Sequence, residues 1–139
     1  MTNPKLEVDY VVRAGHRLAA LRVLVERGAH ADVVPEAQKI IELALKALLR
    51  ASGVTVPQIH DVSQILLREV ERLPAALRPD VDRMAEISKA LRKDREIAFD
   101  GAEDLIPSEV YTEADATRAS ADAHWVHERV RSVVTPPAS

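Results

Sequence analysis

Apolar residues recur at alternating intervals of three and four in three long stretches of this chain, and that spacing restricts its fold more than any other feature. Such spacing places apolar side chains along one face of an α-helix, and this face must be buried against another element. A fourth, shorter stripe runs from Val81 to Leu91. The three long stripes are Val11, Ala14, Leu18, Leu21 and Val25; Val34, Ala37, Ile41, Ala44, Leu48 and Ala51; and Ala116, Ala119, Ala123, Val126, Val130 and Val133.

Glycine and proline mark the ends of the first two helices. Gly28 follows the first stripe directly and predicts a left-handed residue that closes the first helix. Pro35 is favourable only in a first helical turn, so the second helix is expected to begin close to it. A start near Ala31 requires a helix that tolerates this proline. Gly53 predicts the end of the second helix.

Capping residues predict the starts of later helices. Asp61 followed by Gln64 is typical of an N-cap with a capping-box partner, at the start of a short third helix. Residues 98–111 contain a glycine and a proline and are predicted to form a long loop. Thr112 and Asp115 form a second capping signal, directly before the last helix.

The stripes and caps together predict the fold class. No segment alternates apolar and polar residues with a period of two, so no strand is expected. The sequence predicts an all-α protein, an antiparallel up-and-down bundle of about five helices with mostly short connections. The 139 residues suit one domain, over residues 6–134. Residues 135–139 contain two successive prolines, and we expect a disordered tail there.

Composition excludes several classes of protein. The chain has no cysteine, which excludes disulfide frameworks and thiolate sites and fits a reducing compartment. A net charge of -3 and an aromatic content of 3% argue against a generic nucleic-acid binder and a base-stacking platform. Charges interrupt the apolar runs, so no membrane span is expected. Residues 1–9 lack the apolar core of a signal peptide, and we therefore expect a cytoplasmic protein.

Two groups of histidines are candidates for chemistry. His60 precedes Asp61, as in metal-dependent phosphohydrolases, but an N-cap role for the aspartate explains the pair without a metal. His124 and His127 lie one helical turn apart, within reach of one metal ion, yet no Glu-x-x-His motif accompanies them. His124 and His127 are better explained as surface or interface histidines. We predict no metal and no cofactor, since Gly-rich phosphate loops are missing as well.

The most informative polar cluster is Arg92-Lys93-Asp94-Arg95, at the end of the fourth stripe. Arg95 lies near the extension of the apolar face, so we expect it to point into a groove between helices. A guanidinium group binds phosphate or carboxylate through paired hydrogen bonds, and a buried arginine needs an anionic partner, internal or bound. For Arg92 and Lys93, the alternative is a solvated helix end that complements the helix dipole.

The order and spacing of several motifs resemble the HEPN domain (higher eukaryotes and prokaryotes nucleotide-binding) over about Leu6 to Val134. The resemblance implies an all-α bundle of about five helices that is usually dimeric. It also implies nucleotide or RNA as a ligand and a small nucleotidyltransferase as a partner, in a toxin–antitoxin pair. The motifs are Glu42–Leu49, Gly53, His60-Asp61, Ile65–Leu67, Pro107 and Tyr111–Ala116.

Many members of that family cleave RNA without a metal, and this sequence departs from their motif. They use Arg-x(4–6)-His near the end of the fourth helix, where the histidine moves a proton and the arginine stabilises charge on the phosphate. Neither Arg92 nor Arg95 is followed by a histidine at that spacing, and the next histidine is His124. The resemblance therefore implies a member without the ribonuclease motif of the fourth helix.

Together these observations predict a non-catalytic HEPN-like module, a homodimer that binds a nucleotidyltransferase partner, nucleotide or both. No residue is predicted to be catalytic. One alternative is a metal-independent endoribonuclease toxin with a rearranged site that uses His60, His124 or His127. Another is a plain helical dimerisation module without a ligand. The candidate nucleotide- or anion-binding residues are Lys46, Arg92, Arg95 and Tyr111.

Overall fold

The computed structural model describes residues 5–59, 61–100 and 106–134, with the backbone alone at Lys5, residues 91–100 and Pro107. The described residues form six α-helices and no strand, which confirms the predicted all-α class. Two 3₁₀ turns, over residues 70–72 and 75–80, join the third helix to the fourth. The helices are α1 (Lys5–Glu26), α2 (His30–Ala51), α3 (Ser63–Arg68), α4 (Val81–Asp100), α5 (Pro107–Val110) and α6 (Glu113–Arg131).

Contacts between helix ends establish the direction of each long helix. They join the start of α1 to the ends of α2 and α6, and the start of α4 to the end of α6. Successive long helices therefore run antiparallel, as predicted, while α2 and α6 run in the same direction and pack side by side. The contacts are Glu7–Arg50 (3.7 Å), Val11–His127 (3.1 Å), Asp80–Arg129 (3.6 Å) and Arg83 over the Trp125 ring (4.1 Å).

Helix α2 is the centre of the bundle, because α1, α4, α5 and α6 all pack against it. Its buried residues cover more than half of the helix circumference, a wider surface than the single predicted stripe. Only Asp32, Lys39 and Ala51 are exposed along its length, so the last member of the predicted stripe lies outside the core. None of the helices described is long and apolar enough to cross a membrane.

The expected start of α2 close to Pro35 is wrong. The helix begins at His30 and continues through the proline, as the alternative start near Ala31 required. A proline at this position removes one backbone hydrogen bond. Val33 and Val34, in the turn before it, are almost fully buried, so tertiary packing holds this turn in place despite the loss.

The expected capping box of the third helix is wrong in its position, although Asp61 accepts a backbone N–H as predicted. Helix α3 begins at Ser63, and the residue before it, Val62, makes no side-chain cap. Asp61 instead accepts a hydrogen bond from the backbone N–H of Ser63 at 2.9 Å and another from the hydroxyl of Ser88 on α4 at 3.3 Å. The aspartate therefore joins α3 to α4, a contact that local spacing does not reveal.

The expected loop over residues 98–111 contains more helix than predicted. Helix α4 extends to Asp100, and residues 107–110 form the short helix α5. Residues 101–105 and the expected disordered tail at 135–139 lie outside the described residues. On α1, Val25 of the predicted stripe is 41% exposed and Leu18 is half-buried, because α1 lies at the edge of the bundle.

The start of α6 agrees with the sequence prediction. Thr112 accepts a hydrogen bond from the backbone N–H of Asp115, and the carboxylate of Asp115 accepts one from the N–H of Thr112, as in a capping box. The predicted stripe of α6 is buried from Ala116 to Val130. Its alanines allow the backbone of α6 to approach α1 and α2 closely.

We expect substitutions of Gly15 and Gly28 by alanine to change stability in opposite directions. Gly15 lies inside α1, and a methyl group there would meet Nε2 of His127 at 3.5 Å, an ordinary contact. Gly15→Ala should therefore raise the free energy of unfolding by about 1 kcal/mol through helix propensity. Gly28 has a φ of 70°, so Gly28→Ala should lower it by about 1 kcal/mol. Urea unfolding measures both; a loss of stability for Gly15→Ala would contradict the packing described between α1 and α6.

Candidate functional site

The candidate site depends first on α4, which carries Arg92 and Arg95. Both residues lie within this helix, eight and five positions before its end at Asp100. Their side chains lie outside the described residues, so the expected insertion of Arg95 into a groove stays a prediction. The helix axis is defined through both positions, and the contacts of the first half of α4 determine where it runs.

A cation–π cluster attaches the first turn of α4 to the last turns of α6. The guanidinium carbon of Arg83 lies 4.1 Å from the centre of the Trp125 ring, and that of Arg129 lies 5.8 Å from it. Arg129 also pairs with Asp80 at 3.6 Å. Sequence reasoning missed this cluster, although the single tryptophan of the chain with an arginine four residues later was a signal for it.

A buried hydrogen-bond network attaches the middle of α4 to α3. The hydroxyl of Ser88 accepts from the backbone N–H of Val62 at 3.0 Å and donates to Asp61. Ser88 is almost fully buried and stands one helical turn before Arg92. The structure thus assigns Asp61 a structural role, while its neighbour His60 lies outside the described residues.

Lys46 lies at the end of the bundle where α1 begins. It is four residues before Arg50 on α2, and Val11 is four residues after Glu7 on α1. Because Glu7 pairs with Arg50 and the two helices are antiparallel, Lys46 and Val11 lie at the same level along the bundle. His127 contacts Val11, so the half-buried Lys46 is level with the end of α6.

The positions of Arg92 and Arg95 lie toward the other end. Helix α4 begins beside the end of α6 and runs antiparallel to it, so each residue after Arg83 moves away from the level of Lys46. At a rise of 1.5 Å per residue, the two arginine positions lie roughly 14 and 18 Å beyond Arg83. The structure therefore separates Lys46 from the two arginines by more than the width of one phosphate group.

Tyr111 shares the end of the bundle toward which α4 runs. It directly precedes Thr112, the N-cap of α6, and α6 is antiparallel to α4. Its side chain is buried, with 5% of its surface exposed, within the main apolar core. Of the predicted site residues, the structure thus brings the positions Arg92, Arg95 and Tyr111 to one end of the bundle.

The two histidines of α6 have different surroundings. The Nε2–H of His127 donates to the backbone carbonyl of Val11 at 3.1 Å, which ties α6 to α1. His124 is exposed. Among the described residues, no three His, Asp or Glu side chains are grouped to hold a metal ion. His127 therefore makes a structural contact between α6 and α1.

One arginine and histidine elsewhere in the chain have the ribonuclease spacing. Arg118 and His124, both on α6, are separated by five residues. Six positions along an α-helix correspond to about 240° of rotation more than one full turn, so the two residues lie on different sides of the helix. Arg118 pairs with Asp115 at 3.1 Å. This pair matches the motif in sequence but not in geometry.

A cleft of about 330 Å³ lies between the α1–α2 turn and the first turns of α6. It contains none of the predicted site residues. Its carboxylates, Glu26 and Glu113, oppose the binding of a phosphate group. The lining residues are Val25, Glu26, Gly28, His30, Glu113, Ala116 and Thr117.

Comparison with known proteins identifies one family. The family model described as the HEPN domain matches residues 8–133, about nine-tenths of the chain. The match agrees with the resemblance expected from the order and spacing of the sequence motifs. No curated protein and no solved structure gives a significant match to this chain.

Asp122, in the middle of α6, and Asp115, in its first turn, predict opposite responses of stability to pH. Burial raises the pKa of Asp122, and Arg83 and Arg118 partly offset this. Folding therefore favours the protonated carboxyl group, and this contribution to the free energy of unfolding is lost as the pH rises through the raised pKa. Asparagine has no charge to bury. The free energy of unfolding of Asp122→Asn should therefore rise relative to that of the unchanged protein from about pH 4 upward.

Asp115 provides the matched control for this measurement. Its hydrogen bond from the backbone of Thr112 lowers its pKa, so the stabilising effect of its charge is lost as the pH falls. Asp115→Asn should therefore be less stable than the unchanged protein near neutral pH and approach it in acid. Urea unfolding across this pH range measures both differences, and parallel curves for the two variants would show that these surroundings are wrongly assigned.

Proposed function

This chain belongs to the HEPN domain family, and from that premise we propose that it is a non-catalytic helical module that binds nucleotide, a small nucleotidyltransferase partner, or both. The family consists of nucleotide-binding or RNase-like helical modules. In the proposed role the chain acts in the cytoplasm as a homodimer, within a pair of the toxin–antitoxin type. Its partner supplies the chemistry, and this chain supplies the binding surface.

The single observation that carries the proposal is the residue type that follows each arginine of α4. At the spacings where the ribonuclease motif requires histidine, Arg92 is followed by Ile97, Ala98 and Phe99. Arg95 is followed at those spacings by an aspartate, a glycine and an alanine. None of these side chains except the aspartate moves a proton, and a carboxylate near a phosphate would repel it. The arginines therefore keep the capacity to bind an anion without the group that would cleave it.

The proposed ligand surface is the end of the bundle that contains the positions Arg92, Arg95 and Tyr111. Guanidinium groups form paired hydrogen bonds with phosphate, and Tyr111, buried in the apolar core, holds the start of α6 in place. Lys46 was a candidate on sequence grounds, but its level in the bundle supports a separate contact, for example with a protein partner. The proposal therefore assigns the nucleotide to α4 and the start of α6.

Removal of both arginines should weaken nucleotide binding. Isothermal titration with nucleoside triphosphates should give a Kd that rises by about 10- to 100-fold in the Arg92→Ala/Arg95→Ala variant, because charge-assisted hydrogen bonds are lost. Lys89→Ala is the matched control, since Lys89 is an exposed cation on the same helix. An equal loss of nucleotide affinity in Lys89→Ala would mean that the overall positive charge of α4, and not the two arginines, determines the affinity.

Partner binding is tested separately by co-expression with a small nucleotidyltransferase encoded beside this chain. A stable complex that survives purification supports the proposal. If no nucleotide raises the melting temperature and no such complex forms, the proposal fails and the plain dimerisation module remains.

A metal-free ribonuclease assay tests the alternative activity. With EDTA present, we expect no cleavage of RNA above that of a mock preparation, because the α4 histidine is missing and His127 is bound to the backbone of α1. His124→Ala and Arg118→Ala are the variants to compare, since they remove the one pair with the motif spacing. Cleavage that disappears in these variants, or in Arg95→Ala, would establish a rearranged nuclease instead.

A further inference from the structure

The outer side of α2 carries a row of basic residues. Lys39, Leu43, Lys46 and Arg50 follow one another at intervals of four, three and four residues, so they lie along one line of the helix over roughly 16 Å. Lys39 is exposed, and the other three are half-buried. We call these four residues the basic ridge. On the central helix of the bundle, the ridge is therefore a surface that reaches solvent and is mainly cationic.

The acidic residues next to the ridge have partners within the fold. Glu36, on the same side of α2, pairs with Arg17 of α1 at 3.0 Å. Glu7 of α1 is almost fully buried and lies 3.7 Å from Arg50. Glu42 also has an interaction partner. These carboxylates are therefore engaged in other contacts and leave the charges of the two ridge lysines uncompensated.

Three cations around the ridge have no such partner. Lys39, Lys46 and Arg13 of α1 make no ion pair or side-chain hydrogen bond in the part of the chain that the structure describes. Arg13 stands one turn before Arg17, which reaches α2, so it lies on nearly the same side of α1. Because Lys46 is level with Val11, Arg13 lies at a level between Lys46 and Lys39. The three charges therefore surround the centre of the ridge.

Two unpaired carboxylates of the same helices lie away from this centre. Asp32 is on the line of the ridge but two turns before Lys39, about 10 Å along the helix axis. Asp9 lies about 80° around α1 from Arg17. A chain with a net charge of -3 thus has a local concentration of positive charge around a half-buried leucine. Such a surface is complementary to a short acidic segment that also presents an apolar side chain.

We propose that the basic ridge is the docking surface for an acidic amphipathic helix of a partner protein. Carboxylates seven residues apart on that helix face Lys39 and Lys46, which have the same separation, and an apolar residue midway between them packs on Leu43. Arg13 lies beside the same helix and adds a third opposite charge. Neither nucleotide nor a nucleotidyltransferase is needed for this contact, so it goes beyond the proposed function.

Other occupants fit this surface less well. A second copy of the chain would place the same cations of the two copies against one another. A nucleic-acid strand that extends past the ridge would continue onto a protein of net negative charge, and its phosphates make no favourable contact with the central leucine. An acidic amphipathic helix matches both the cations and the leucine.

Binding of a designed peptide tests the docking surface. The probe is a fluorescein-labelled, alanine-based helical peptide with glutamates at intervals of three and four along one face and a leucine at the centre of that face. Fluorescence anisotropy should show saturable binding to the unchanged protein. Lys39→Glu/Lys46→Glu should raise the Kd by about tenfold, and this variant should instead bind the same peptide with lysine in place of each glutamate. A variant that failed to fold would not exchange one preference for the other.

Arg22→Glu/Lys89→Glu is the matched control, because it changes the net charge by the same amount outside the ridge. Arg22 is exposed on α1 but lies about 140° around the helix from Arg17, and Lys89 is exposed on α4. This variant should keep the Kd for the acidic peptide within about a factor of two. Equal weakening in the control, or no binding of the acidic peptide to the unchanged protein, overturns the docking surface.

Competition distinguishes an acidic protein segment from a nucleic acid. Unlabelled acidic peptide should displace the labelled one at lower concentrations than a single-stranded RNA of the same length. If the RNA displaces it at lower concentrations, and does so only from a protein with both ridge lysines, the ridge is a nucleic-acid surface and the proposed occupant is wrong. Nucleotide titration and co-expression with a nucleotidyltransferase do not involve this peptide, so a failure of the proposed function is recognised separately from a failure of the ridge.

Discussion

Burial of α2 is the constraint on which the rest of this structure depends. Each of its fully buried leucines and isoleucines contributes about 1.5–3 kcal/mol relative to exposure, and they face more than half of the helix circumference. One neighbouring helix cannot cover so wide a surface, so α1, α4, α5 and α6 all pack against it. The alanine stripe of α6 lets that helix pack closely along α2. The same burial keeps Pro35 inside α2, because Val33 and Val34 lose their packing if the first turn unwinds.

A bundle organised around one buried helix leaves its polar chemistry at the ends and edges. The contacts of Arg83 with Trp125 and of Ser88 with Asp61 hold α4 against α6 and α3. They direct the arginine-bearing half of α4 toward the start of α6, where Tyr111 lies, and away from Lys46. A metal-independent ribonuclease of this family needs a histidine beside its arginine, and that half of α4 contains none. His127, on α6, contacts the backbone of α1 instead. The proposed anion-binding role rests on this arrangement.

Local signals in the sequence predicted much of the fold because the interactions behind them are themselves local. The capping box of Thr112 and Asp115 and the left-handed Gly28 involve residues within one turn of each other, so they follow from residue type and spacing. Asp61 was assigned to a cap for the same reason, and it does accept the backbone N–H of Ser63, but its second partner, Ser88, is 27 residues away and does not follow from local spacing. Likewise, the sequence does not show that Lys46 lies at a different level of the bundle from Arg92 and Arg95, since separation along a bundle depends on how helices align with one another.

The sequence by itself determined that this chain is an all-α bundle, where most of its helices begin and end, and that the arginines of α4 lack a histidine at the ribonuclease spacing. These properties depend on residue type and on periods of three and four, which any reader of the chain can count. Only the tertiary structure decided that α2 is the central helix, that α2 and α6 run in the same direction, and that Lys46 and the α4 arginines lie at different levels. Burial depends on which helices cover which faces, and contacts between residues far apart in the chain establish that arrangement.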